Sequence, residues 1–307
     1  MERSLEAPRS AQSCLALVLT TLFTACATPP KERAPKLAPV PATSASQVTE
    51  VDTTEPFRQH VGAAEIFVPA HLALRNGKYD LIVHFHGAPH LQEEGIARAH
   101  ISAVVVSVNV GTQSGPYGTA FKPKWAFPDL LAKIDTVVRK SPKLAEATRG
   151  RLALTAWSAG ASSVMAILAN GTGADADAVL LADGLFTGYV DPKRKTIYPK
   201  TLEPVAEYAE RAKKGEALFV LTHTSIATEG YPGMPETAAE LLRMVGLEKR
   251  TPKSSLGPAS GKVLYEVHEG SFHVTGYDGL LAGDHISQIQ HMDETEFSYL
   301  RARWVEK

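Results

Sequence analysis

Residues 151–168 read RLALTAWSAGASSVMAIL, and the order of residue types in this stretch decides the fold. RLALTAW (151–157) is a short, mostly apolar run, the pattern of a strand covered on both faces. SSVMAILAN (162–170) reads as a helix. Between them, Ala156-Trp157-Ser158-Ala159-Gly160 forms a small-x-Ser-x-Gly turn. A strand that passes straight into a helix turns sharply, so the residues two before and two after the Ser must be small. Such a turn lifts the Ser hydroxyl above the sheet. It also aims the unpaired N–H groups of the helix start at any negative charge forming there. The bare pattern is weak, because Ala and Gly are abundant here; the strand before and the helix after give it weight. The plainer alternative is a Ser N-cap on an ordinary helix.

Working outward, apolar runs at 64–70, 79–87, 101–109, 176–183, 216–224 and 262–270 read as further strands. Helical patterns at 129–140, 202–215, 235–246 and 285–304 alternate with them. Gly215 and Gly246 follow two of these helices as natural C-caps. This alternation predicts an α/β domain: a mainly parallel central sheet with helices on both faces. In such sheets sites lie at the carboxyl ends of the strands. No large cap domain fits between the strands, although a modest lid at 185–201 has room. The Gly- and Pro-rich segment 111–128 carries Tyr117, Phe121, Trp125 and Phe127 and could line a substrate cleft beside the site; the alternative is a packed surface loop.

The element order over most of residues 60–305, with AWSAG at 156–160, HFHG at 84–87 and a late histidine, resembles the α/β-hydrolase family. Ala156 stands where Gly is commoner. The resemblance implies Ser158 as nucleophile, with one oxyanion donor from the N–H groups around Gly87 and Ala88 and another from Ala159. A Ser hydroxyl needs a base. Family chain order places that base as a histidine after the last strand: His285, directly before the final helix, or His273 as the alternative. His268 lies within the strand, and His291 faces elsewhere. The acid is expected to be Asp183, at the end of the 176–183 strand, with Glu229 second; the alternative for Asp183 is a turn residue before Gly184. The implied reaction is hydrolysis of a carboxylic ester or related acyl bond through an acyl-enzyme, with no cofactor. Two other readings stay open. One is a non-catalytic lipoprotein of the same fold that binds a ligand or envelope partner. The other is a zinc hydrolase using His84, His86 and His90, spaced H-x-H-x-x-x-H.

The formal net charge of −1 argues against electrostatic binding to nucleic acid. Both cysteines, Cys14 and Cys26, lie near the N-terminus, so the domain has no internal disulfide and no Cys nucleophile. CLALVLTTLF (14–23) is too short to span a bilayer as a mature helix but suits the apolar core of a signal peptide. Followed by Thr24, Ala25 and Cys26, it resembles a bacterial lipobox. That implies a signal peptide over 1–25, acylation of Cys26, and a Pro/Ala/Ser/Thr-rich linker over 26–55 ahead of the domain at 56–307. It also implies a lipid anchor in the cell envelope, with the outer membrane favoured because Ala27 is not Asp.

Overall fold

A computed structural model describes residues 47–53, 55–191, 193, 195–257 and 261–305. The segment expected to be a signal peptide, Cys26 and most of the expected linker lie outside the described residues. Five strands open the domain: β1 (Val48–Asp52), β2 (Phe57–Val61), β3 (Ala64–Val68), β4 (His71–Arg75) and β5 (Lys78–Phe85). Then come α1 (Pro89–Arg98), β6 (Val104–Val108), α2 (Ser114–Phe121), α3 (Ala126–Val138), β7 (Thr148–Trp157) and α4 (Ala161–Ala169). After β8 (Ala178–Ala182), a small hairpin of β9 (Tyr189–Asp191) and β10 (Thr196–Ile197) leads to α5 (Glu203–Lys213) and β11 (Leu218–His223). The domain ends with α6 (Met234–Met244), β12 (Val263–Glu269), β13 (Phe272–Tyr277), α7 (Ala282–Gln290) and α8 (Glu296–Trp304).

The sheet order is β2-β3-β6-β5-β7-β8-β11-β13-β12, with β4 and then β1 continuing from β5. From β6 through β5, β7, β8 and β11 to β13 the strands run parallel to one another, and β12 is antiparallel to β13. β3 is antiparallel to both β2 and β6. Strand alternation feeds two cores, as a pleated strand requires. In β5, Leu81, Val83 and Phe85 join the core under α2–α6. Ile82 faces the other way, into the core under α1, α7 and α8 with Ile289, Phe297 and Trp304. β6, β8 and β11 are buried throughout, which is why their sequences read as unbroken apolar runs. The described residues form an α/β fold, a mainly parallel sheet with helices on both faces, and no large cap domain stands among them.

Several expectations change. The linker does not extend to residue 55: Val48–Asp52 pairs with β4, from Val48 opposite Arg75 to Asp52 opposite His71. This strand is largely exposed, so ladder hydrogen bonds rather than apolar burial hold it. The surface-loop alternative for segment 111–128 does not hold: most of it forms α2 and the start of α3, with Tyr117, Phe121 and Phe127 buried and Trp125 exposed, and residues 112–115 line a cavity with Ser158. The strand expected at 262–270 is β12, and a second strand, β13, follows it after a turn at Gly270 (φ +58°). β13 sits parallel to β11 with Phe272 level with Phe219. The final helix is two helices, separated at 291–295, where Thr295 leaves the helical region (φ −107°, ψ −99°). The Thr295 hydroxyl donates to the His291 carbonyl (2.8 Å).

Candidate active site

β5 and β7 are neighbours with Phe85 level with Ala156, so His86–Ala88 and Trp157–Ala159 emerge together at one sheet edge. Ser158 adopts φ +50°, the left-handed conformation that L residues rarely take. Two glycines allow it. A Cβ at Gly160 would lie 2.0 Å from the Phe85 carbonyl oxygen, and one at Gly184 would lie 2.5 Å from the Ser158 carbonyl oxygen. The elbow therefore packs backbone against backbone on both sides, and its small residues are a steric requirement.

Asp183, just past β8, also has positive φ (+46°) and is buried. Its Oδ1 accepts the Thr224 N–H (2.9 Å) and its Oδ2 accepts the Thr224 hydroxyl (2.7 Å). His285 Nδ1 donates to the same Oδ2 at 2.7 Å. A carboxylate only accepts, so the proton sits on Nδ1 and Nε2 carries the lone pair. Nε2 has no partner among the described residues. Ser158, Asp183 and His285 line one cavity of about 340 Å³. No hydrogen bond joins the Ser158 hydroxyl to the ring; in ligand-free sites such contacts are commonly long and close on substrate.

Trp157 sets the position of His285. Its indole N–H donates to the His285 carbonyl (2.9 Å), and its ring lies against the imidazole at 4.7 Å between centroids. Its other face stacks on His86 at 5.1 Å, nearly parallel. Burial, and then the nearby His285, hold His86 below the usual histidine range. The lead-in to α7 is tied down separately. Asp284 accepts the N–H groups of Leu280 and Leu281 at 2.8 Å each, and the Ser225 N–H donates to the Gly279 carbonyl (2.8 Å).

The expected oxyanion group needs one correction. The Gly87 N–H is taken by Asn109 Oδ1 (3.1 Å), while Asn109 Nδ2 holds the Gly87 carbonyl (3.0 Å). Gly87 therefore shapes the loop, with φ +126°, and is not a free donor. The N–H groups of Ala88 and Ala159 have no acceptor among the described residues.

The alternatives lie elsewhere. His273 is the second residue of β13, its Nδ1 2.9 Å from His268 Nδ1 and its ring stacked on Tyr299 at 4.1 Å. Glu229 is exposed in the loop after β11 and does not meet His285. His84 donates from Nε2 to the His86 carbonyl (2.8 Å) and accepts the Thr155 hydroxyl at Nδ1 (2.7 Å), so neither nitrogen is left for a metal. Burial pushes its pKa down to about 3. His90 is exposed on α1, and the H-x-H-x-x-x-H histidines do not converge. Sequence reading missed Trp157 as a support and Thr224 and Asn109 as anchors. Only Trp157, inside the elbow motif, had a signal that could have found it.

No protein-family model matches the chain, and no curated protein matches it. Among solved structures it is similar to the poly(3-hydroxybutyrate) depolymerase LpqC from Bordetella parapertussis, at 13% identity over 78% of this chain and 90% of that one, with a TM-score of 0.41. A ferulic acid esterase aligns at 13% identity over 82% and 98%, TM-score 0.43. An esterase of Pyrobaculum calidifontis aligns at 13% identity over 83% and 85%, TM-score 0.38.

Proposed function

We propose that this chain is a serine hydrolase that cleaves carboxylic esters through an acyl-enzyme on Ser158. The observation that carries the reading is a strained Ser158 sharing one cavity with a His285 whose tautomer is set by buried Asp183. His285 Nε2 takes the Ser158 proton as Oγ attacks the ester carbonyl carbon. The carbonyl π electrons move onto oxygen, and the N–H groups of Ala88 and Ala159 stabilise that oxyanion. When the C–O bond breaks, the proton passes from His285 to the departing alkoxide. Water then repeats the sequence on the acyl-enzyme: it gives a proton to His285, its oxygen bonds to the acyl carbon, and Ser158 recovers its proton as the acid leaves. Asp183 stays ionised and steadies the imidazolium in both halves.

The N-terminal segment extends the proposal to location. Cleavage before Cys26 and acylation of its thiol would tether the domain to the cell envelope, with the outer membrane favoured. Two or more acyl chains make such an anchor stable, since each buried methylene contributes about 0.8 kcal/mol.

A fluorophosphonate probe tests the chemistry. Labelling that maps to Ser158 by mass spectrometry, and vanishes in folded Ser158→Ala and His285→Ala variants, is the expected result. A folded wild-type protein that takes no label and hydrolyses no ester would overturn the reading in favour of a binding protein of the same fold.

A further inference from the structure

Ser158 opens on two cavities of opposite character. The first, about 340 Å³, holds His285 and Asp183, with Ile226, Pro232 and Met234 as apolar wall. The second, about 500 Å³, holds Ala159 together with the polar side chains of Thr112, Gln113, Ser114 and Thr187. Phe186 and Tyr231 border both and form the partition.

On the serine-hydrolase reading, chemistry assigns the two sides. In the tetrahedral intermediate the attacked carbon bears Ser158 Oγ, the oxyanion, the leaving oxygen and the acyl substituent. The leaving oxygen takes its proton from His285, so the alcohol lies in the cavity that His285 lines. The oxyanion faces Ala88 and Ala159. The acyl substituent is left with the second cavity, on the Ala159 side. We propose that the chain selects esters joining an apolar alcohol to an acyl group that bears hydroxyl or other hydrogen-bonding substituents. An apolar wall favours alkyl over hydroxylated alcohols through burial. Thr187 already donates to the Tyr198 carbonyl and accepts from Thr201, whereas a plain alkyl acyl group would cover Thr112, Gln113 and Ser114 without giving their side chains a partner.

Four size-matched esters read this directly with the purified full-length protein: pentyl and 2,3-dihydroxypropyl esters of hydroxyacetic and propionic acid. The expected order of kcat/KM places pentyl hydroxyacetate first and 2,3-dihydroxypropyl propionate last, each single exchange costing about tenfold. Gln113→Leu, at an exposed position, should erode the preference for hydroxyacetyl and leave the preference for pentyl. Ile226→Asn should do the converse. A reversed or flat order, or a variant that moves the other side's preference, overturns the assignment. If Ser158 still takes the fluorophosphonate label in that case, the hydrolase reading stands without it. If the folded protein neither takes label nor turns over any of the four esters, both fall.

Discussion

His273 and His285 stand on either side of one loop, have the same chemistry, and sit in opposite surroundings. His285 lies in the first turn of α7, where Nδ1 finds a buried carboxylate and Nε2 is left unpartnered beside a cavity. His273 is held within β13 between β11 and β12, its Nδ1 facing another imidazole and its ring stacked on Tyr299. Burial lowers its pKa to about 4, with the neighbouring His268 adding to the effect. A histidine becomes a base when one nitrogen is oriented by an anion and the other is left accessible. Burial without an anion makes it a neutral packing group instead.

The largest expected effect separates the two residues. His285→Ala should lower kcat for a simple ester by a factor on the order of 10⁴–10⁶, whereas His273→Ala changes it only a few-fold. Steady-state kinetics on variants shown to be folded by circular dichroism checks this. Equal losses in both, or a larger loss at His273, would reverse the assignment. Next, Asp183→Asn removes the anion while keeping shape, and should cost about 10³–10⁴ in kcat through the wrong tautomer. A variant that stays within tenfold of wild type would mean that Asp183 only shapes the turn.

The third prediction concerns stability rather than rate. The folded state keeps His273 neutral down to about pH 4, while the unfolded chain protonates near pH 6.5. Protons therefore favour unfolding. The contribution is fully present above pH 6.5 and is lost as pH falls through 4, on the order of 3 kcal/mol at most. Urea titrations should show His273→Phe less sensitive than wild type across that window. Unchanged pH dependence would remove His273 as its source. The smallest effect belongs to Trp157→Phe, which keeps a ring against His285 but loses the bond to its carbonyl. A fall of about tenfold in kcat with KM nearly constant is expected, since a base displaced slightly loses transition-state rather than ground-state interactions. An increase in KM alone would instead make Trp157 a wall of the binding site.

The comparison also measures how far sequence reading reached. Local rules of sterics and periodicity singled out Ser158, because an elbow declares itself through small residues at fixed offsets. They left His285 and His273 open, because both follow a strand and only the unnoticed β13 separates them. SFHVTGY (271–277) alternates apolar and polar residues, but its shortness and its glycine hid it beside the longer run before it. HFHG put Gly87 forward as a donor, and its N–H is instead taken by Asn109, at the end of a different strand.

By itself, then, the sequence determined the alternation of strands and helices and the residues that must be small at the elbow. It also determined which polar groups stand near the strand ends. These follow from interactions among near neighbours in the chain, which periodicity and side-chain size report. Tertiary structure alone decided which histidine meets Asp183, which amide N–H is left free, and that Ser158 faces an apolar cavity on one side and a polar one on the other. Each of those depends on groups far apart in sequence brought to hydrogen-bond or contact distance by the stacking order of the strands, and that order is set by the packing of the whole sheet.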